Sequence, residues 1–178
     1  MRDLLVAAAA MALLGGCAST MADKESEKEP LSAEAALKDR EGKDVGRATL
    51  IETGEGLRIA VTGYRLPPGT HGLHIHAVGK CDPPEFTSAG AHLNPANKKH
   101  GKLNPEGPHA GDLPNLVVAP SGEAGLEVTT RAVTLGPGPN SLLGPEGTSL
   151  VVHAAPDDEK TDPTGNSGAR IACGVITR

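Results

Sequence analysis

Six of the seven histidines stand between His71 and His109, and the seventh, His153, ends the apolar run Leu150-Val151-Val152. In His74-Ile-His76 an extended backbone would put both imidazoles on one face, roughly 6.5–7 Å apart along the strand, where two of them could grip one metal ion. Taken alone, such a pair does not separate a metal site from ordinary core or surface histidines. The residues downstream do. His92, His100, His109 and Asp112 lie in a long stretch without regular periodicity, and an irregular loop holds such a set together only if something crosslinks it. Three imidazoles and one carboxylate suit tetrahedral zinc with no open position, the pattern of a structural site. His74, His76 and His153 form a second, all-imidazole set suited to copper, whose divalent form prefers tetragonal nitrogen ligation.

The elements that must position these groups read as strands and turns. Val45–Glu52 and Leu57–Tyr64 alternate apolar and polar residues, and His71–Val78 follows the turn signal Pro67-Pro68-Gly69. Further strands are expected at Asn115–Ala119, Gly125–Leu135, Thr148–His153 and Ile171–Thr177, whereas Ala33–Asp39 is ambiguous and would pass for a helix by composition. Eight short strands without a clear helix favour an antiparallel barrel or sandwich. Two long gaps, Gly79–Pro114 and Ala154–Arg170, interrupt the rhythm, and loops of that length are usually functional. Gly136–Gly147 shows no chemistry and reads as a crossover connection. Tyr64 and Phe86 are the only aromatic residues, so the core must be built from Val, Ile, Leu and Ala.

Residues 1–17 have the form of an export signal: Arg2, then the apolar run Leu4–Leu14, too short to span a bilayer, then Leu14-Gly15-Gly16-Cys17. The small residues before Cys17 resemble a bacterial lipobox, in which the cysteine becomes the lipidated first residue; ordinary cleavage near Ala18–Ala22 is the alternative. Either way the chain leaves the cytoplasm for the bacterial cell envelope, the periplasm or outer surface. Residues 18–32 are polar and charged and read as a flexible tether reaching at most about 50 Å, which leaves 33–178 as one domain. Beyond Cys17, Cys81 and Cys173 remain, the count for one disulfide in an oxidising compartment. No Cys-x-x-Cys pair suggests a thiolate zinc cluster. A net charge of −5 argues against nucleic acid as a partner, and an anionic substrate would need a local positive spot.

His74-Ile-His76, Cys81, Thr87 to Pro95 with His92, Lys99-His100-Gly101, His109-Ala-Gly-Asp112-Leu, Leu150 to His153, Asp157-Asp158 and Gly165 to Gly174 together resemble the copper/zinc superoxide dismutases. The resemblance spans roughly residues 33–178. It implies an all-β, eight-stranded antiparallel Greek-key barrel or sandwich with two long functional loops. It implies one copper bound by His74, His76, His92 and His153, and one zinc bound by His92, His100, His109 and Asp112, with His92 as a bridging imidazolate. Asp157 matches a carboxylate linking a copper-ligand to a zinc-ligand histidine, here His74 and His100. Cys81 and Cys173 match the family disulfide. Arg170 matches an arginine that draws superoxide to the copper, and Thr164 a threonine that narrows the channel opposite it. His71 matches a structural histidine that bonds between loops.

The activity so implied is disproportionation of superoxide to oxygen and hydrogen peroxide by copper cycling, with His92 releasing copper and taking up a proton in turn. A non-catalytic metal carrier is the rival from another class, but such relatives typically lack a copper ligand and this chain lacks none. A hydrolytic zinc enzyme would need an open zinc position, which is not evident. The loop from Ala154 to Arg170 is shorter than in many animal relatives and keeps only Glu159, Lys160 and Asp162 as candidate steering charges. The family includes both monomers and dimers, so a homodimer stays open, and membrane contact is expected through the lipid anchor only.

Overall fold

The computed structural model describes residues 29–178, so the expected export signal, the expected lipidation at Cys17 and most of the expected tether lie outside the described residues. Nine strands follow in order: β1 (Ser32–Asp39), β2 (Asp44–Thr53), β3 (Gly56–Gly63), β4 (Gly69–His71), β5 (Leu73–His76), β6 (Leu116–Val118), β7 (Ala124–Thr130), β8 (Ser149–His153) and β9 (Arg170–Val175). A short 3₁₀ turn, Thr87–Ala89, interrupts the first long loop. The pairings between these strands are all antiparallel, in the order β4-β6-β7-β3-β2-β1-β9-β8-β5.

The ambiguous stretch Ala33–Asp39 is strand. Alternation decides it: Ala33, Ala35 and Leu37 point inward while Ser32, Glu34, Ala36 and Lys38 face solvent, and Ser32 to Lys38 pair with Ile51 to Asp44. Tertiary pairing thus overrides the helix preference of Ala, Glu, Leu and Lys.

One expected strand, His71–Val78, is two, which raises the count from eight to nine. β4 pairs with β6 at one edge of the sheet and β5 with β8 at the other, so the chain has to break between them, at Gly72. Because β4 and β5 are joined by that single residue, the two edges lie side by side and the sheet is a nearly closed barrel. The Gly72 N–H donates to the Ala155 carbonyl, and the His153 N–H donates to the Gly72 carbonyl. β7 also ends earlier than expected, at Thr130; beyond it the Glu52 carboxylate takes over the backbone, accepting from the Thr134 hydroxyl at 3.0 Å and the Leu135 N–H at 2.7 Å.

The barrel interior is aliphatic, as the composition requires: Leu37, Leu50, Leu57, Ile59, Leu73, Ile75, Leu116, Leu142 and Leu150 are fully buried. Leu142 comes from the Gly- and Pro-rich crossover and Leu135 immediately precedes it, so that segment packs onto the barrel core. Phe86 takes no part in that core. It sits with Ala89, Val151 and Cys173 under the first loop, against Cys81. There Cys81 and Cys173 form the disulfide, with Cα atoms 5.7 Å apart, pinning the first loop to β9. Closing a loop of about 100 residues contributes about 4–5 kcal/mol in chain-entropy accounting. Phe86→Ala is therefore expected to cost about 3–5 kcal/mol in urea unfolding of the oxidised protein, well beyond the cost of a surface change.

Candidate metal centre

β5, β8 and β9 are neighbours, and their register gathers the chemistry at one place. His74 lies opposite Val151 and His76 opposite Ser149, while a register shift after Val152 sets His153 opposite Arg170. A bulge of that kind re-aims a side chain, here from the barrel wall toward the site. Leu73 and Ile75 face the core; His74 and His76 take the other face, which the first loop covers. Loop residues pair along the free edge of β5: Leu93 N–H to the Ile75 carbonyl, Ile75 N–H to the Gly111 carbonyl, and Ala77 N–H to the Ala91 carbonyl. These pairings bring His92 beside His76 and Asp112 beside His74.

The nitrogen that each imidazole leaves free follows from what holds the other. His74 Nε2 is 2.8 Å from Asp157 Oδ2, which leaves Nδ1. His76 Nδ1 donates to the Gly90 carbonyl at 2.9 Å and His153 Nδ1 to the Gly168 carbonyl at 3.2 Å, which leaves both Nε2 atoms, 3.4 Å apart. Four imidazoles, those of His74, His76, His92 and His153, thus converge as one buried set able to hold a metal.

The second set is mixed. Asp112 Oδ1 lies 3.1 Å from His92 Nδ1, 3.1 Å from His100 Nδ1 and 3.3 Å from His109 Nδ1, and the His92 and His109 Nδ1 atoms are 3.4 Å apart. One oxygen approached by three imidazoles at such lengths is poorly explained by charge-assisted hydrogen bonds, which are about 2.7–2.9 Å. The lengths match the edges of a tetrahedron around zinc, about 3.3–3.4 Å for ligands at 2.0–2.1 Å. The other oxygen, Oδ2, accepts the N–H groups of Gly101 and His109, both at 2.9 Å, and so orients the carboxylate. His74 also lies within 4.8 Å of the donors of His92, His100 and Asp112. With Nε2 taken by Asp157 it offers a single nitrogen, which the four-imidazole set uses, so His109 completes the mixed set.

Among the described residues three buried side-chain nitrogens have no hydrogen-bond partner: His74 Nδ1, His92 Nε2 and His100 Nδ1. His100 Nδ1 is close to Asp112 Oδ1 without being aligned on it, as expected when both point at a common third position. His92 has one nitrogen in each set. Unpaired buried groups of this kind cost about 1–3 kcal/mol each, and metal ions would satisfy all three. The donor sets therefore fit one copper and one zinc.

Asp157 joins the sets, with Oδ2 on His74 Nε2 and Oδ1 on His100 Nε2 at 2.9 Å. Gly165 packs directly against it at φ +62°; a Cβ there would come within 1.8 Å of Asp157 Oδ1. Neither Gly165 nor Asn115, whose side chain holds the Asp157 backbone, was singled out as a functional position from sequence, because nothing in their local patterns marks them. Arg170 donates to the Phe86 carbonyl at 2.5 Å and to the Gly90 carbonyl at 2.6 Å, sharing the latter with His76. Thr164 and Arg170 line one cavity over the four-imidazole set with His76, His92 and His153. Of the candidate steering charges only Asp162 borders it, and the lysines there are Lys98 and Lys99 from the first loop. His71 is a structural residue, with Nδ1 and Nε2 each 2.8 Å from a carbonyl, those of His153 and Pro67.

The matching family model is that of copper/zinc superoxide dismutase, over residues 45–176. Superoxide dismutase [Cu-Zn] 1 of Aquifex aeolicus is 49% identical over 148 residues, 82% of this chain and 88% of its own length. The Caulobacter vibrioides superoxide dismutase [Cu-Zn] is 45% identical over the same share of this chain and 85% of its own. The crystal structure of a SOD-like protein from Bacillus subtilis superposes with a TM-score of 0.78 at 41% identity, covering 81% of this chain and 97% of that one. The chain belongs to the copper/zinc superoxide dismutase family.

Burial pushes His76 down to about 2, helped by the nearby His92 and Arg170. Burial and the neighbouring His74 push His153 down to about 3. Burial lowers His74 and His109 too. His100 is the exception: burial is outweighed by Asp112 and Asp157, which raise it to about 9. For His76 and His153 the unfolded chain binds protons below about pH 6.5 that the folded one refuses, so their stabilisation is complete above that pH and lost as it falls toward about 3. The contribution of His100 has the opposite sign, full below about pH 6.5 and lost as pH rises through about 9. Chelator-stripped protein is thus expected to be most stable near neutrality. A melting temperature unchanged between pH 7 and 4 would contradict this.

Proposed function

We propose that this chain dismutates superoxide to oxygen and hydrogen peroxide. In this reading His74 Nδ1 and the Nε2 atoms of His76, His92 and His153 would hold one copper, and the Nδ1 atoms of His92, His100 and His109 with Asp112 Oδ1 would hold one zinc. The observation that carries it is His92, buried with one nitrogen in each donor set at the floor of a cavity that also holds Arg170. Copper bound there would supply one-electron redox chemistry, alternately oxidising and reducing superoxide.

The protein's own groups have separate tasks. His92 Nε2 would take up and return the proton, since its ring has one nitrogen in each donor set. The mixed set holds the Nδ1 side of the same ring, so the proton is confined to Nε2. Arg170, fixed by two backbone carbonyls, presents a guanidinium that stays charged at any working pH and binds the superoxide anion beside His153. Thr164 borders the same opening and limits what enters. Lys98 and Lys99 add positive charge at the mouth of an otherwise acidic molecule; Lys99 is partly neutralised by Asp162 at 3.3 Å.

We further infer export to the bacterial cell envelope with lipid attachment at Cys17, supported by the residue pattern of 1–17 and by a disulfide suited to an oxidising compartment. Labelled palmitate incorporated by the full-length chain and not by Cys17→Ala would support it; equal labelling of both would sink it.

Metal content and superoxide consumption measured on one purified sample test the main proposal, with one copper, one zinc and rapid turnover expected. Copper loading without turnover would favour a metal carrier instead. His153→Ala is expected to lower activity by about 100-fold or more while zinc content holds, since a lost ligand costs at least as much as a lost supporting partner. Lys98→Glu is expected to slow the bimolecular rate about threefold at low salt, the difference shrinking as ionic strength rises past about 0.15 M.

A further inference from the structure

Asn115 stands immediately before β6 and only three residues after Asp112, yet its side chain reaches the other long loop. Its Nδ2 donates to the Asp157 carbonyl at 2.9 Å, and its Oδ1 accepts the Asp157 N–H at 2.8 Å. The side-chain amide thus holds both backbone polar groups of one residue, as a strand partner would. That residue carries the carboxylate on His74 Nε2 and His100 Nε2, with Gly165 closing its open side. Two hydrogen bonds from a strand end fix the backbone of Asp157 more firmly than its own loop can, because loop backbone without such partners samples many conformations.

We propose that Asn115 is a positioning residue for both metals: by clamping the Asp157 backbone to β6 it aligns His74 and His100 together, so that the affinities of the two sites rise and fall in concert. This rests on the copper and zinc reading above. Its reach is separate, since Asn115 touches neither donor set and acts only through Asp157.

The test is a double-mutant cycle on the full folded domain with its disulfide intact. Copper and zinc affinities are measured separately by chelator competition for wild type, Asn115→Ala, Asp157→Ala and the double variant. Asn115→Ala is expected to weaken both metals, each by about 10-fold or more, as loss of an outer partner does. In the Asp157→Ala background the same change is expected to leave both affinities where they were. Asn115→Asp keeps the acceptor for the Asp157 N–H and loses the donor to its carbonyl, so an intermediate loss is expected, and this variant substitutes for Asn115→Ala should that one fail to fold. Reduced thermal stability with unchanged affinities would overturn the proposal, as would equal losses with and without Asp157. Wild type that binds neither metal would instead overturn the reading on which the proposal rests, so the two failures are distinguishable.

Discussion

The structure depends on buried imidazole nitrogens that have nothing to bond. His74 Nδ1, His92 Nε2 and His100 Nδ1 are shut away from water, and the protein supplies no acceptor or donor for any of them. A fold cannot hold such groups cheaply unless a ligand satisfies them, and a metal ion does so with several donors at once. Folding and metal binding are therefore linked: the site is an unfavourable arrangement made tenable by what it binds.

The barrel makes that arrangement possible because it is rigid where the loops are not. Strands β5, β8 and β9 carry His74, His76, His153 and Arg170 on neighbouring backbones whose spacing the sheet sets. The first loop, which carries His92, His100, His109 and Asp112, has no such frame. It borrows one by pairing with the free edge of β5, by the disulfide to β9, and through the bonds of Arg170 to Phe86 and Gly90. Asp157 completes the network from the second loop, and the Asn115 amide holds it in turn. Arg170 therefore does two things at once, bracing the loop and placing positive charge at the cavity floor.

Much of this was legible in the residues. The histidine and aspartate types, their order, and the aliphatic alternation of the strands pointed to the metals and to an antiparallel barrel, because ligand chemistry and side-chain alternation are local properties. What failed to show was non-local. Ala33–Asp39 is ambiguous by composition and becomes strand only by pairing with β2. His71–Val78 looked continuous until its halves proved to serve opposite edges. Charge near the cavity was sought in Glu159, Lys160 and Asp162; Asp162 borders it, but Lys98 and Lys99 stand there in place of the other two, since loop path and not loop membership decides which charges meet.

The sequence by itself determined which elements of chemistry the protein possesses: seven His and Asp residues able to ligate metal, Arg170, the cysteines Cys81 and Cys173, and strands of matching hydrophobic period. Only the tertiary structure decided which nitrogen of each imidazole is free. That choice is made by the acceptor on the opposite nitrogen, and those acceptors come from far along the chain. Asp157 reaches His74 across 83 residues and His100 across 57. A tautomer is a property of a ring and its neighbours together, and neighbours exist only once the chain has folded.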